Sequence, residues 1–166
     1  MLLGSNFAAA EATGGFKNPE AKGYKFVILK IEDAVSKKGN NMLVFYVDIT
    51  EGEFAGHFEK YPKRQYITYD PSSAEGMGRV KATLTDIIND NKARFPIDPL
   101  AAGDQFNEQL LVGCTIGGVL KWDDENPKYL NLNYLTSYAK AMEVKPTPQP
   151  AIIAAPVSGI DDDLPF

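Results

Sequence analysis

Asn41-Met42-Leu43-Val44-Phe45-Tyr46-Val47-Asp48-Ile49-Thr50 is the stretch on which the fold turns. Leu43, Phe45, Val47 and Ile49 form one face, and Val44, Tyr46, Asp48 and Thr50 the other. That period of two belongs to a strand with one face in a core. Just before it, Ser36-Lys37-Lys38-Gly39-Asn40 is a polar turn with a glycine available for positive φ. Before the turn, Tyr24-Lys25-Phe26-Val27-Ile28-Leu29-Lys30-Ile31 is rich in β-branched and aromatic residues and reads as a strand. Strand, short turn and strand predict a hairpin.

Working outward, Glu51-Gly52-Glu53 is a turn, and residues 54–61 read as a third strand with Phe58 and Tyr61 prominent. Asp70-Pro71-Ser72-Ser73 reads as a helix entry, with Ser72 three residues before Glu75. Val80, Leu84, Ile87 and Ile88 share a helical face, and Asn91 ends it, while Gly76 and Gly78 weaken the first turn. Residues 95–103 form a Pro-punctuated loop, and 104–111 give one or two helical turns. Residues 114–122 read as a fourth strand whose Gly117-Gly118 pair suits a bulge or a tight bend. Asp123-Asp124-Glu125-Asn126-Pro127 is a turn, and 129–138 a fifth strand. The order β-β-β-α-β-β is that of an OB-fold, an all-β barrel with one main helix. Periodicity alone equally permits another small α+β barrel.

The barrel is expected over 22–144, behind a Gly- and Ala-rich arm at 1–21. Pro146, Pro148, Pro150 and Pro156 mark 145–160 as an extended linker unable to build a core. The chain of 166 residues then stops at the acidic tip 161–166. A hydrophobic share of 44% argues against wholesale disorder. No apolar run approaches the roughly 18 residues of a membrane span, and residues 1–5 lack a leader pattern. Cys114 is the one cysteine and His57 the one histidine, too few for a disulfide or a structural zinc site within the chain. These features fit a cytoplasmic protein with no membrane association. Cys114 is expected as inert core packing, and His57 as a surface strand residue.

The net charge of −5 conceals a gradient. Between Lys17 and Lys81 there are eleven basic residues against nine acids; from Ala82 to Lys145 there are six against nine. Phosphate affinity depends on local arrangement, so the total excludes little. Enzymatic signals are weak: Gly76-Met77-Gly78 lacks the Gly-Lys-Ser/Thr ending of a phosphate loop, and Asp123-Asp124 sits in a turn. No catalytic residue, metal or cofactor is expected.

The aromatics carry more. Residues 58–69 interleave Phe58, Tyr61, Tyr66 and Tyr69 with Lys60, Lys63 and Arg64. Rings that stack on bases beside cations that follow phosphates are what a sequence-tolerant single-strand groove requires. A strand packing its rings inward would give the same pattern. Tyr46, opposite the Leu43/Phe45/Val47 face, adds to the candidate groove, as do Trp122 with Lys121, and Tyr129. Trp122 shares parity with Ile116 and Leu120, which fits core packing as well. Lys37 and Lys38 lie on the hairpin turn that borders the groove of an OB-fold.

The tail, Asp161-Asp162-Asp163-Leu164-Pro165-Phe166, joins three acids to a compact apolar plug and a terminal carboxylate. A pocket with a basic rim can read that ring and carboxylate together.

This ending closely resembles the acidic tip of bacterial single-stranded DNA-binding proteins. Ser36-Lys37-Lys38-Gly39-Asn40-Asn41-Met42-Leu43, Glu51-Gly52-Glu53-Phe54-Ala55-Gly56 and Leu111-Val112-Gly113-Cys114 are instead similar to a phage-encoded family of replication and single-strand-binding proteins. The resemblance implies a protein that coats single-stranded DNA during replication, recombination or repair, in the host cytoplasm if phage-encoded. It implies that Asp161, Asp162, Asp163, Leu164, Pro165 and Phe166 bind polymerase, helicase, primase or repair partners. A homo-oligomer is compatible with it, although the bacterial tetramer interface does not carry over. Two other readings fit the same residues: a replisome interaction module that binds no DNA, and a strand-annealing accessory.

Overall fold

The strand that alternates across 41–49 lies inside the sheet, paired on both sides. In the computed structural model, which describes residues 18–151, β2 (Asn41–Ile49) pairs antiparallel with β1 (Gly23–Val35) on one side and β3 (Lys63–Tyr69) on the other. Leu43, Phe45, Val47 and Ile49 are all buried, as their alternation requires. They meet Phe26, Ile28 and Ile31 of β1, and Ile116 and Leu120 of β4 (Thr115–Trp122), in one hydrophobic cluster. The last strand, β5 (Leu130–Thr136), pairs with β4.

The sheet order is β3-β2-β1-β4-β5. The long β1 makes this possible: its residues Gly23 to Val27 pair with β4 while most of its length pairs with β2. At the open seam the Lys63 ammonium, on the first residue of β3, donates to the carbonyl of Leu130, the first residue of β5. Helix α1 (Gly78–Asp90) contacts β3, β4 and β5 and buries Val80, Thr83, Leu84, Ile87 and Ile88. The result is a nearly closed, five-stranded antiparallel barrel with its main helix between β3 and β4, an OB-fold-like all-β architecture.

Three segments depart from the sequence reading. Residues 54–61 are not the third strand; they form successive turns, and the third strand is Lys63–Tyr69. Gly52 and Gly56 adopt φ of 81° and 80°, which a regular strand does not accommodate. The buried Asp48 carboxylate then accepts from the backbone N–H groups of Ile49 and Phe58, both at 2.8 Å, pinning this loop onto β2. His57 accordingly lies in that loop rather than on a strand.

The expected helix entry at 70–73 is a turn. Asp70 accepts from the Ser72 N–H and hydroxyl, Ser73 Oγ accepts from the Gly76 N–H, and α1 begins only at Gly78. The fifth strand, expected over 129–138, spans Leu130–Thr136, and Ser137 caps a short helix, α2 (Tyr138–Met142), which takes up Tyr138.

The paired glycines act through close approach. A Cβ on Gly117 would fall 2.6 Å from the Ser137 carbonyl oxygen and 2.7 Å from Ala141 Cβ; one on Gly118 would fall 2.7 Å from the Phe26 ring. The β4 bulge lies just beyond them, between Val119 and Leu120. Cys114 is fully buried beside Ile116, as its parity implied.

Of the segments expected outside the barrel, residues 18–21 and 145–151 are described. Thr147 donates its N–H to the Ala21 carbonyl at 2.9 Å and its carbonyl accepts from Trp122 Nε1 at 3.1 Å. The first residues beyond 144 are thus strapped across the barrel. The acidic tip 161–166 lies outside the described residues.

Candidate functional site

Strand pairing arranges the outer face of β1, β2 and β3 into rows. One row runs Lys30, Tyr46, Arg64; the next runs Glu32, Val44, Tyr66; a third runs Ala34, Met42, Thr68. In the first row Lys30 Nζ lies 5.3 Å and the Arg64 guanidinium carbon 5.1 Å from the centroid of the Tyr46 ring, so both cations flank one aromatic. Glu32 ties the two rows together: its Oε2 accepts from the Tyr46 hydroxyl at 3.0 Å and its Oε1 lies 2.5 Å from Lys30 Nζ. Those two hydrogen bonds, Lys30 first, hold the Glu32 carboxyl below the usual carboxylate range. Tyr66, with Tyr46 beside it, raises the Arg64 guanidinium further above its ordinary value. Tyr66 itself is 49% exposed.

One end of this face is bordered by the turn 36–40, where Ser36 Oγ accepts from the Asn40 N–H and Gly39 takes φ of 84°. Lys37 and Lys38 project from it and are exposed. The other end is bordered by the loop 50–62 and the β4–β5 loop 123–129, which together hold most of the remaining candidates. Lys60 and Tyr61 are exposed on the first loop, Tyr61 at 84%. On the second, Tyr129 is 61% exposed, and Lys121 just before it pairs with Asp124 at 3.3 Å. Asp123 shapes that loop by accepting from the N–H groups of Glu125 and Asn126 and from Asn131 Nδ2.

Phe58, Lys63, Trp122 and Tyr129 converge on a cleft of about 620 Å³. Phe58 and Trp122 are partly buried and pack against the core, so the packing reading of Trp122 holds alongside its place in the cleft. Lys63 Nζ sits 4.8 Å from the Phe58 ring centroid, and burial lowers its pKa. Tyr69 stands apart from both groups. It is three residues from Tyr66 and so faces inward, packed against the core, with its hydroxyl donating to Asp33 Oδ1 at 2.7 Å.

Lys30 and Glu32 were not among the sequence candidates. A strict alternation places Lys30 on the inward side with Phe26 and Ile28. The register shifts between Ile28 and Lys30, and this bulge carries Lys30 outward. A lysine on an otherwise apolar parity was the available signal. His57 and Lys128, which line the cleft, were also missed as site residues. Among the described residues no cluster of three or more His, Cys, Asp or Glu is placed to hold a metal ion, and no helix is long and apolar enough to cross a membrane.

No protein-family model matches the chain, and no curated protein is detectably similar to it in sequence.

Proposed function

We propose that this chain binds single-stranded DNA along the outer face of β1, β2 and β3, between the turn 36–40 and the loop 123–129. The observation that carries the reading is the row Lys30–Tyr46–Arg64 with Tyr66 beside it: aromatic rings flanked by cations on the face that OB-folds use for oligonucleotides. Such a surface needs no reacting group. Bases stack on the rings, phosphates meet Lys37, Lys38 and Arg64 while Glu32 holds Lys30 beside them, and the strand is held extended and kept from re-annealing. The resemblance to phage-encoded single-strand-binding proteins supports a place in replication, recombination or repair, inside the host cytoplasm. It also supports recruitment of DNA-processing partners by Asp161 to Phe166, a role that rests on the sequence of the tip.

The test is a titration of the full chain with oligo(dT), followed by intrinsic Tyr and Trp fluorescence at two salt concentrations. Stacking quenches the emission, and phosphate contacts make affinity fall as salt rises. Absence of both effects overturns the reading and favours an interaction module that binds no DNA.

A further inference from the structure

The cleft beside the strand face has a chemistry of its own. Lys63 and Arg64 are consecutive, with Arg64 on the outer face and Lys63 turned into the cleft, so the two regions adjoin. The cleft is walled by the loop 50–62, the β4–β5 loop and the strap 146–149. The strap is fixed through Thr147 to Ala21 and Trp122, and through Gln149 Nε2 to the Pro127 carbonyl at 2.9 Å. At about 620 Å³, the space matches sites that enclose a small molecule or one residue of a polymer.

Two features of the lining select the occupant. Rings from Phe58, Trp122 and Tyr129 provide flat apolar surface, with His57 edge-on to Phe58 at 4.9 Å. Against them stands Lys63, partly withdrawn from water. Its ammonium has three donors; the Leu130 carbonyl takes one, and the Phe58 ring lies beneath it. Among the described residues no carboxylate lies within ion-pair distance of Lys63, and Glu20, the acid in the wall, lies 4.0 Å from Lys22. Lys128 adds a second, exposed cation. A partly desolvated ammonium left without a carboxylate is costly, and an anionic ligand relieves that cost.

A ligand with a flat ring and concentrated negative charge is a nucleotide. Two cations fit a phosphomonoester, which carries about −1.5 to −2, better than the single charge of an internal phosphodiester. We propose that this cleft is a subsite for the phosphorylated end of a DNA strand, with Lys63 and Lys128 holding the terminal phosphate and the rings holding the terminal base. The proposal rests on the strand-binding reading and adds an end specificity to it.

The test compares (dT) oligomers of one length bearing a 5′-phosphate, a 3′-phosphate or only hydroxyl ends, bound to the full chain and followed by fluorescence. One phosphorylated end binds about tenfold tighter than the hydroxyl-ended strand, the gain of a hydrogen-bonded charge pair. Lys128→Gln and Lys63→Gln each cut that ratio to about threefold or less. Lys63→Gln also removes the link to β5, so Lys128→Gln, on an exposed side chain, keeps the test decisive if the first variant misfolds. Equal affinity for all three ends, with binding retained, overturns the subsite and leaves the strand face standing. If no oligomer binds, the strand reading fails, and dTMP against inorganic phosphate, read through Trp122 emission, decides the cleft alone. If the hexapeptide Asp161 to Phe166 occupies it in a Lys63-dependent manner while dTMP does not, the cleft belongs to the tail and the proposal is wrong.

Discussion

The Tyr46 hydroxyl donates to Glu32 Oε2 at 3.0 Å while Glu32 Oε1 holds Lys30 Nζ at 2.5 Å, so one carboxylate restrains both an aromatic and a cation of the strand face. Glu32 stands where a phosphate would draw Lys30 away. Glu32→Gln is therefore expected to tighten oligo(dT) binding at low salt by about threefold or more, by removing a competing negative charge. The freed Lys30 adds one phosphate contact, so the log–log salt slope becomes more negative by about 0.7. Unchanged affinity and slope in the variant would show that Lys30 does not reach the strand.

Tyr66 tests stacking on the same face. Its side chain is half exposed, and its neighbours in the row are Glu32 and Val44. Tyr66→Ala is expected to weaken oligo(dT) binding by roughly 1–3 kcal/mol, the worth of one stacked base, with little change in the urea midpoint. A large loss of stability with unchanged affinity would instead make Tyr66 a packing residue.

The fold was legible wherever alternation and turn chemistry agreed. β2 and the 36–40 turn follow from Leu43, Phe45, Val47, Ile49 and Gly39 alone, because a strand with one buried face and a glycine turn satisfies every local preference. The third strand was misplaced because Phe54, Phe58 and Tyr61 look like strand residues, yet Gly52, Gly56 and the Asp48 carboxylate fold that segment into turns. That outcome depends on a hydrogen bond across ten residues, which the alternation of apolar residues does not encode. The candidate site was marked by composition but not by geometry. Tyr46, Arg64 and Tyr66 share a face, whereas Tyr69 points inward and Lys63 turns into the cleft. Lys30 joined the face only through a bulge, whose position is set by pairing partners rather than by β1 itself.

Close approach by α2 gives a stability prediction. Gly117 lies under Ser137 and Tyr138 with no room for a Cβ, the nearest atoms being backbone and Ala141 Cβ at 2.6–2.8 Å. Gly117→Ala is expected to cost about 1–3 kcal/mol in urea unfolding, because a packed backbone must shift to admit one methyl. A variant as stable as the parent would mean that α2 lifts away freely.

Asn91 joins the end of α1 to the start of β4. Its Nδ2 donates to the carbonyls of Ile87 and Thr115 at 2.6 and 2.7 Å, and its Oδ1 accepts from the Thr115 N–H at 3.0 Å. Asn91→Ala is expected to cost about 2 kcal/mol, since a backbone N–H and two carbonyls lose this partner together. Asn91→Asp should not restore stability: a carboxylate can accept from Thr115 but presents acceptors to two carbonyl oxygens. Recovery in the Asp variant would show that only the Thr115 N–H bond matters.

Tyr69 separates stability from binding on the same strand as Tyr66. Burial, then the hydrogen bond to Asp33 and that carboxylate's charge, push its phenol up to about 12 from an ordinary value near 10. The folded state thus favours the protonated phenol. The sign follows: this contribution is fully present below about pH 10, where the unfolded chain also keeps its proton, and is lost as pH rises through 12. Tyr69→Phe removes the hydroxyl and its bond to Asp33. Its stability deficit relative to the parent should be constant at neutral pH and shrink as the pH climbs from about 10 toward 12, followed by urea unfolding at each pH. Other raised tyrosines, Tyr24, Tyr46 and Tyr138, are common to both proteins, so the difference isolates Tyr69. Oligo(dT) affinity should stay within about twofold of the parent, because Tyr69 lies on the opposite side of β3 from Arg64 and Tyr66 and its hydroxyl is taken up by Asp33. A deficit that does not narrow with pH would place the phenol in water, and a tenfold loss of affinity would return Tyr69 to the groove.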